Sequence, residues 1–221
     1  MFKELFNLIQ SDSLYEQALN RCYQMLDIDS QMFNESINSL RNSDTAEIPI
    51  DIFKMDQEIN AFEREVRRKI MTHLSISGTK DLGSGLILIS VVIDIERIGD
   101  YTKNIYELAM NHPKKLQGFD FEEKLSEVEA NTKKLFTSTI EAFKNQDVEL
   151  GRQLMLDYKE GISKPCDEIT NGIIAGKSNI EADSATAVAL YARYLKRISA
   201  HSRNLISSIV NPFERIGYPE K

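Results

Sequence analysis

An all-α protein of six long helices, forming two tandem three-helix bundles, is the fold the sequence predicts. Three observations predict it. Apolar residues recur at helical spacing along nearly the whole 221-residue chain. Strand-like alternation is confined to the short run AEIPIDIF at 46–53, and turn-forming residues divide the rest into blocks of about 25 residues, each about 37 Å long as a helix. A composition of 42% hydrophobic and 28% charged residues, with only 10 Gly and 5 Pro, is that of a folded, soluble protein.

The first helix is predicted over 13–42. The turn formers of NSDTAEIP, ending in Pro49, separate it from the second, over 50–75. In SISGTKD, Gly78 offers a stop and Thr79 an N-cap before the third helix, over 80–111. Pro113 and Gly118 in NHPKKLQGFD precede the fourth, over 121–145, and the fifth and sixth follow over 147–175 and 182–211. The two halves look related: ERIGDYTKN, starting at Glu96, and KRISAHSRN, starting at Lys196, agree at Arg97/Arg197, Ile98/Ile198 and Asn104/Asn204, and are similar at Lys103/Arg203. Each lies near the end of a third helix, so two units are expected, 1–113 and 114–221.

Charge and cysteine usage narrow the function classes. With 34 acidic against 27 basic residues the net charge is -7, which repels phosphate backbones and makes nucleic acid a poor partner. Cys22 and Cys166 are far apart and fit neither a disulfide framework nor a zinc pattern, as expected of a reducing, cytoplasmic setting. GLILISVVIDI is too short to span a bilayer before Asp94 and Glu96 interrupt it, so no transmembrane segment is expected. The opening MFKELFNLIQ is amphipathic without a signal-peptide core, and reads as an N-terminal helix closing over the bundle or as a docking helix. The tail NPFERIGYPEK, with Tyr218, is expected to be loosely ordered.

The chemistry is concentrated in IDIERIGDYTKNI, 93–105. Ile93, Ile95, Ile98 and Ile105 read as the inside of a helix, yet Asp94, Glu96 and Asp100 sit among them. Leu82, Leu86, Ile89, Ile93, Glu96, Asp100, Lys103 and Glu107 follow at steps of three and four, so the acids continue an apolar stripe. On the second helix Ile52, Asp56, Ile59, Glu63, Val66 and Ile70 do the same, with Asp56 and Glu63 one heptad apart. Packed side by side, the two helices would bring Asp56, Glu63, Glu96 and Asp100 together. Buried carboxylates must protonate, pair with basic groups or bind a cation. Facing helices that project several oxygens suit a metal, whereas Arg64, Arg67, Arg97 and Lys103 are placed to neutralise the acids instead. The spacing admits both. Gly99 is read as a close-packing residue rather than a hinge, and His73, His112 and His201 as surface or core residues rather than ligands.

VIDIERIGDYTKNIYELA resembles the signature of the PhoU family of phosphate-response regulators, in which ExxxD within an ERIGD run closes the third helix of a three-helix repeat. ARYLKRISAHSRNLIS resembles the same signature worn down, and the similarity extends over 13–211. The resemblance implies two three-helix bundles able to hold iron, zinc or another metal through carboxylates of their second and third helices. It also implies repression of phosphate-uptake signalling through contact with a phosphate ABC transporter and its sensor histidine kinase, with homodimer formation left open and with membrane association only through partners. The motif maps onto Glu96 and Asp100, and the partner-helix acids onto Asp56 and Glu63.

The second unit departs from the pattern. Lys196, Ser199 and Ala200 replace the acid, Gly and Asp, while His201 and Asn204 keep it. Aligning Ile162, Ile169 and Ile173 with Ile59, Val66 and Ile70 puts Lys159 and Cys166 in the places of Asp56 and Glu63. No metal is expected there, and Lys196 should meet an acid or reach solvent. Three function classes follow: a non-catalytic, metal-dependent regulator, a metal-free helical adaptor, and a di-metal carboxylate enzyme. The enzyme would need an ExxH motif, and no histidine here has a glutamate three residues before it. P-loop, Rossmann glycine, nucleophile-elbow and HExxH motifs are also absent, so catalysis is not expected.

Overall fold

The structure is a computed structural model and describes residues 13–112, 114–177 and 179–220. The segment MFKELFNLIQ lies outside the described residues, so neither reading of it is tested. Helix α1, Leu14–Asn42, opens with a capping box. The Glu16 amide donates to Ser13 Oγ at 3.1 Å, and the Ser13 amide donates to the Glu16 carboxylate at 2.7 Å, satisfying two amides that a helix start leaves unpaired. Helix α2, Ile52–Ser77, is capped by Asp51, whose Oδ1 accepts from the Lys54 amide at 3.0 Å. It ends at Gly78, where φ of +68° suits glycine, as the sequence suggests. Helix α3 is Leu82–Asn111, and α4, Glu122–Asn145, follows a 3-10 turn at Phe119–Phe121.

The fifth block is not a single regular helix. It comprises α5, Val148–Tyr158, a π-helical turn at Lys159–Ser163, and α6, Lys164–Ile174. Pro165 has no N–H to give to the carbonyl four residues back, and the wider turn at the junction accommodates that loss. Helix α7, Ala182–Val210, completes the set, so the described residues hold seven α-helices in place of the six expected. The alternation in AEIPIDIF forms no strand; its last two residues open α2.

Helices α1, α2 and α3 pack on one another, α4 to α7 form a second group, and α3 runs against α7. The two groups share one continuous apolar core. Phe33 of α1 meets Phe136 of α4 edge to face at 5.7 Å, and burying each ring contributes about 2–3 kcal/mol. Nearby, Glu129 of α4 accepts from Arg41 of α1 at 3.0 Å and from the Tyr191 hydroxyl of α7 at 2.8 Å.

Two expectations are corrected. The stripe traced along α3 is not its buried face: Leu82 is 42% and Ile93 38% exposed, while Leu88, Val91, Val92, Ile95, Ile98, Thr102 and Ile105 are buried. Because α3 contacts α1, α2 and α7, it is apolar nearly all round, and several three-and-four paths along it look alike. The tail is tied down rather than loose. Asn211 Nδ2 donates to the carbonyls of Arg215 and Tyr218, the Gly217 amide donates to Ser207 Oγ at 2.6 Å, and Arg152 pairs with Glu220 at 2.9 Å. Among the described residues, no helix is long and apolar enough to cross a membrane.

Candidate carboxylate centre

The first unit brings the predicted acids into one neighbourhood between α2 and α3. Asp56 and Glu63 face it from α2, and Glu96 and Asp100, four residues apart, face it from α3. All but Asp100 are largely buried. Lys103 Nζ lies between the helices, 2.9 Å from Asp56 Oδ2 and 3.2 Å from Asp100 Oδ1. Arg97 holds Asp100 at 2.9 Å and reaches Glu96 at 3.4 Å, and Arg67 pairs with Glu63 at 2.7 Å.

The charges respond to one another. Burial, and then Asp100, pushes the Glu96 carboxyl above its ordinary range; Arg97 opposes the shift, while Glu63 and Asp56 add to it. For Lys103, burial works to lower the pKa, but the hydrogen bonds and charges of Asp56 and Asp100 outweigh it and hold the ammonium above its usual value. With Lys103 and Arg97 drawn in among the acids, no three His, Cys, Asp or Glu side chains among the described residues stand ready-grouped around a cation. The donor chemistry is all carboxylate oxygen, which fits a hard cation better than a soft one.

Sequence reasoning missed Asp29. It lies on the buried face of α1 with Cys22, Met25, Leu26, Met32, Phe33 and Ser36, and is 0% exposed. Neither carboxylate oxygen has a hydrogen-bond partner among the described residues. Burial raises its pKa well above the ordinary carboxylate range, and Glu96, Asp56 and Asp100, in that order, add to the shift. The signal was available: Asp29 interrupts the α1 stripe at the same spacing by which Asp56 and Glu63 interrupt that of α2. Gly99 explains the close fit. A Cβ at that position would lie 2.7 Å from Asp29 Oδ1 and 3.0 Å from Ile59 Cδ1, so its role is close packing.

Asp94 belongs elsewhere. Its Oδ1 accepts from His201 Nδ1 at 2.7 Å and from Asn204 Nδ2 at 2.8 Å, joining α3 to α7. The Tyr101 ring stacks on His201 at 5.8 Å, and Arg197 Nε donates to the Tyr101 hydroxyl at 3.1 Å. His73 meets Asp81 at 3.0 Å, and His112 contacts the Lys114 carbonyl at 2.6 Å. None of the three histidines has a carboxylate-centre residue among these partners.

In the second unit, Lys196 Nζ lies 2.6 Å from both Asp167 oxygens, so it meets an acid as expected. Cys166 is buried, which pushes its thiol up to about 12. Ser199 donates to Thr132 Oγ1 at 3.1 Å.

Comparison with known proteins gives a consistent result. The family model described as PhoU domain matches twice, at residues 22–109 and 125–209. The accessory protein PhoU homolog 1 of a phosphate-specific transport system from Thermotoga maritima is 26% identical over 191 residues, covering 85% of this chain and 82% of that protein. A PhoU homolog from Synechocystis is 28% identical over 103 residues, 44% of this chain and 46% of its own length. The crystal structure of PhoU from Pseudomonas aeruginosa superposes with a TM-score of 0.78 at 18% identity, covering 89% of this chain and 95% of that one. The regulatory protein PhoU from Streptococcus pneumoniae does so with 0.76 at 16% identity, covering 88% and 92%.

Proposed function

We propose that this chain, which belongs to the PhoU family through both of its helical units, is a cytoplasmic, non-catalytic regulator of phosphate uptake with a carboxylate cation site in its first unit. It acts by contact with a phosphate ABC transporter and its sensor kinase. The observation that carries the regulatory reading is the double match, which spans most of the chain and is accompanied by a relative named as a phosphate-transport accessory protein. What supports the cation site is the concentration of Asp56, Glu63, Glu96 and Asp100 between two helices, against the loss of acids at the corresponding second-unit positions.

A bound cation would supply charge that cross-links α2 and α3. Asp56, Glu96 and Asp100 would hold it, Glu63 would close one end, and Lys103 would withdraw toward solvent along its flexible stem. A second reading, the metal-free adaptor, is favoured by one observation: Lys103 already bridges Asp56 and Asp100.

Two measurements test these readings. Expressed in a phosphate-responsive bacterium lacking its own PhoU, the chain should restore repression of a phosphate-starvation reporter; unchanged reporter output refutes the regulatory reading. Purified protein stripped with chelator should gain thermal stability when titrated with a divalent or ferric ion, and Glu96→Gln/Asp100→Asn should not. If both respond alike, or neither responds, the adaptor reading replaces the cation site.

A further inference from the structure

We propose that the outer face of α2 and α3, at the end nearer the turn that joins them, is a docking surface for an anionic lipid bilayer. The inference goes beyond the regulatory reading and rests neither on it nor on the cation site. On α3, Leu82, Leu86, Ile89 and Ile93 follow at steps of three and four, so they share one side of the helix over about 16 Å. Leu82 is 42% and Ile93 38% exposed, and Leu86 and Ile89 are half-buried. On α2, Arg64, Arg67, Arg68 and Met71 form a second exposed stripe, Met71 to 63%. The two stripes look out on the same side, because they continue the line of Glu63 and Glu96: Arg67 pairs with Glu63 one turn back, and Ile93 lies three residues before Glu96. Arg64, Arg68 and the turn residue Lys80 have no ion-pair partner among the described residues. On a chain whose net charge is -7, a row of exposed aliphatic side chains edged by unmatched cations is a local departure.

The second unit is an internal control. Leu82, Leu86, Ile89 and Ile93 correspond to Ala182, Thr186, Ala189 and Arg193. The register that matches Ile59, Val66 and Ile70 with Ile162, Ile169 and Ile173 sets Asp167, Thr170 and Asn171 against Arg64, Arg67 and Arg68. Ala182, Thr186 and Arg193 are exposed, so the fold accepts small and polar groups on this face and does not itself require aliphatic ones. The aliphatic row and its cations therefore answer to something that packs on the face, and its chemistry is apolar and negatively charged at once. An anionic bilayer offers both: aliphatic side chains enter the acyl boundary, while arginine and lysine reach the phosphate headgroups on flexible stems. A protein surface would need a preformed pocket for a side chain that stands out as far as Met71, whereas fluid lipid admits it without one. The acids of this side lie beyond Ile93, where Arg67, Arg97 and Lys103 pair with them, so they set no bare negative charge against the headgroups. No helix among the described residues is long and apolar enough to cross a membrane, so the contact is peripheral.

The test uses the full chain and extruded vesicles of phosphatidylglycerol and phosphatidylcholine in equal parts, with pure phosphatidylcholine as the neutral surface and binding read by co-sedimentation at low and physiological salt. Wild type should bind the anionic vesicles about tenfold more tightly than the neutral ones, and less so as salt rises. Arg64→Gln/Arg68→Gln should weaken that binding about tenfold or more, since each cation near such a surface contributes about a fivefold factor. Arg193→Gln/Lys177→Gln removes the same charge from the second unit and should leave binding within about twofold of wild type. Met71→Ser/Ile93→Ser should weaken binding about tenfold with an unchanged far-ultraviolet circular dichroism signal, and the arginine pair decides alone if that variant does not fold. Failure of wild type to bind the anionic vesicles overturns the proposal, as does equal loss in the two charge variants, which is the response of net charge alone. A wild type that sediments as a dimer, with a Met71→Ser/Ile93→Ser chain that is monomeric yet keeps its vesicle affinity, also overturns it and gives the face to a second copy. Vesicle binding is read without a transporter or a reporter, so its failure leaves the regulatory reading untouched.

Discussion

Replacing Gly99 with alanine sets two effects of similar size against each other. Inside a helix, alanine is favoured over glycine by about 1 kcal/mol, so an unobstructed Gly→Ala change should stabilise α3. The new methyl, however, would sit 2.7 Å from Asp29 Oδ1 and 3.0 Å from Ile59 Cδ1. Both side chains are fully buried and neither can swing into solvent, so the overpacking should cost about 1–3 kcal/mol. The balance is a net loss of up to about 2 kcal/mol, which in a chain of this length lowers Tm by up to roughly 8 °C. Gly83, in the first turn of the same helix, has no atom within 4 Å of the equivalent methyl, and Gly83→Ala should leave Tm unchanged or raise it slightly. Differential scanning calorimetry of both variants in chelator reads the contrast. If Gly99→Ala stabilises as much as Gly83→Ala, the close approach of α1 to α3 at Asp29 is wrong. Combining Gly99→Ala with Asp29→Ala should recover part of the loss, with a coupling of at least about 0.5 kcal/mol.

Two further outcomes follow from the buried acids. Because the Asp29 carboxyl is raised in the folded state, its stability contribution is complete below the unfolded value near 3.8 and is lost as pH rises through the folded value. In chelator, wild-type stability should therefore fall relative to Asp29→Asn as pH is raised, a trend that denaturant midpoints at several pH values would detect, and parallel curves for the two proteins would contradict it. Asp94→Ala should cost about 1–3 kcal/mol, because it strands the His201 N–H and the Asn204 amide at the α3–α7 contact. A loss below about 0.5 kcal/mol in urea unfolding would rule out a structural role for that network.

The fold was legible because long helices write their spacing into the sequence many times over, and because Gly78, Pro49 and Gly118 mark breaks by their backbone limits. The π turn was not, since Pro165 signals a disturbance but not how the chain absorbs it. Tail order was hidden for a different reason: it depends on Asn211, Ser207 and Arg152 meeting the tail in space, and no local pattern encodes that. Asp56, Glu63, Glu96 and Asp100 were singled out by their interruption of the apolar stripes traced in the sequence. Asp29 interrupts its own stripe in the same way, but its significance depends on α1 lying over Gly99, a relation between helices that spacing within one helix cannot supply. Asp94 was left unassigned because α3 is apolar nearly all round, which left the sequence without a face to give it.

The contact between α3 and α7 carries the mark of the internal repeat. Positions one hundred residues apart correspond, so Asp94 matches Tyr194 and Tyr101 matches His201. Asp94 meets His201 across the contact, and the corresponding pair, Tyr194 and Tyr101, also meets, with ring centroids 6.1 Å apart. A residue i touching j while the counterpart of i touches the counterpart of j is the pattern of a two-fold interface, here folded into one chain. In a true dimer the two contacts would be chemically identical. In this chain one has become a charged hydrogen bond and the other an aromatic pair, while the acids of α2 and α3 are answered in the second unit by Lys196 on Asp167. Within one chain neither half has to match the other, so the first unit carries Asp56, Glu63, Glu96 and Asp100 among Arg67, Arg97 and Lys103 while the second sets a single Lys196 on Asp167.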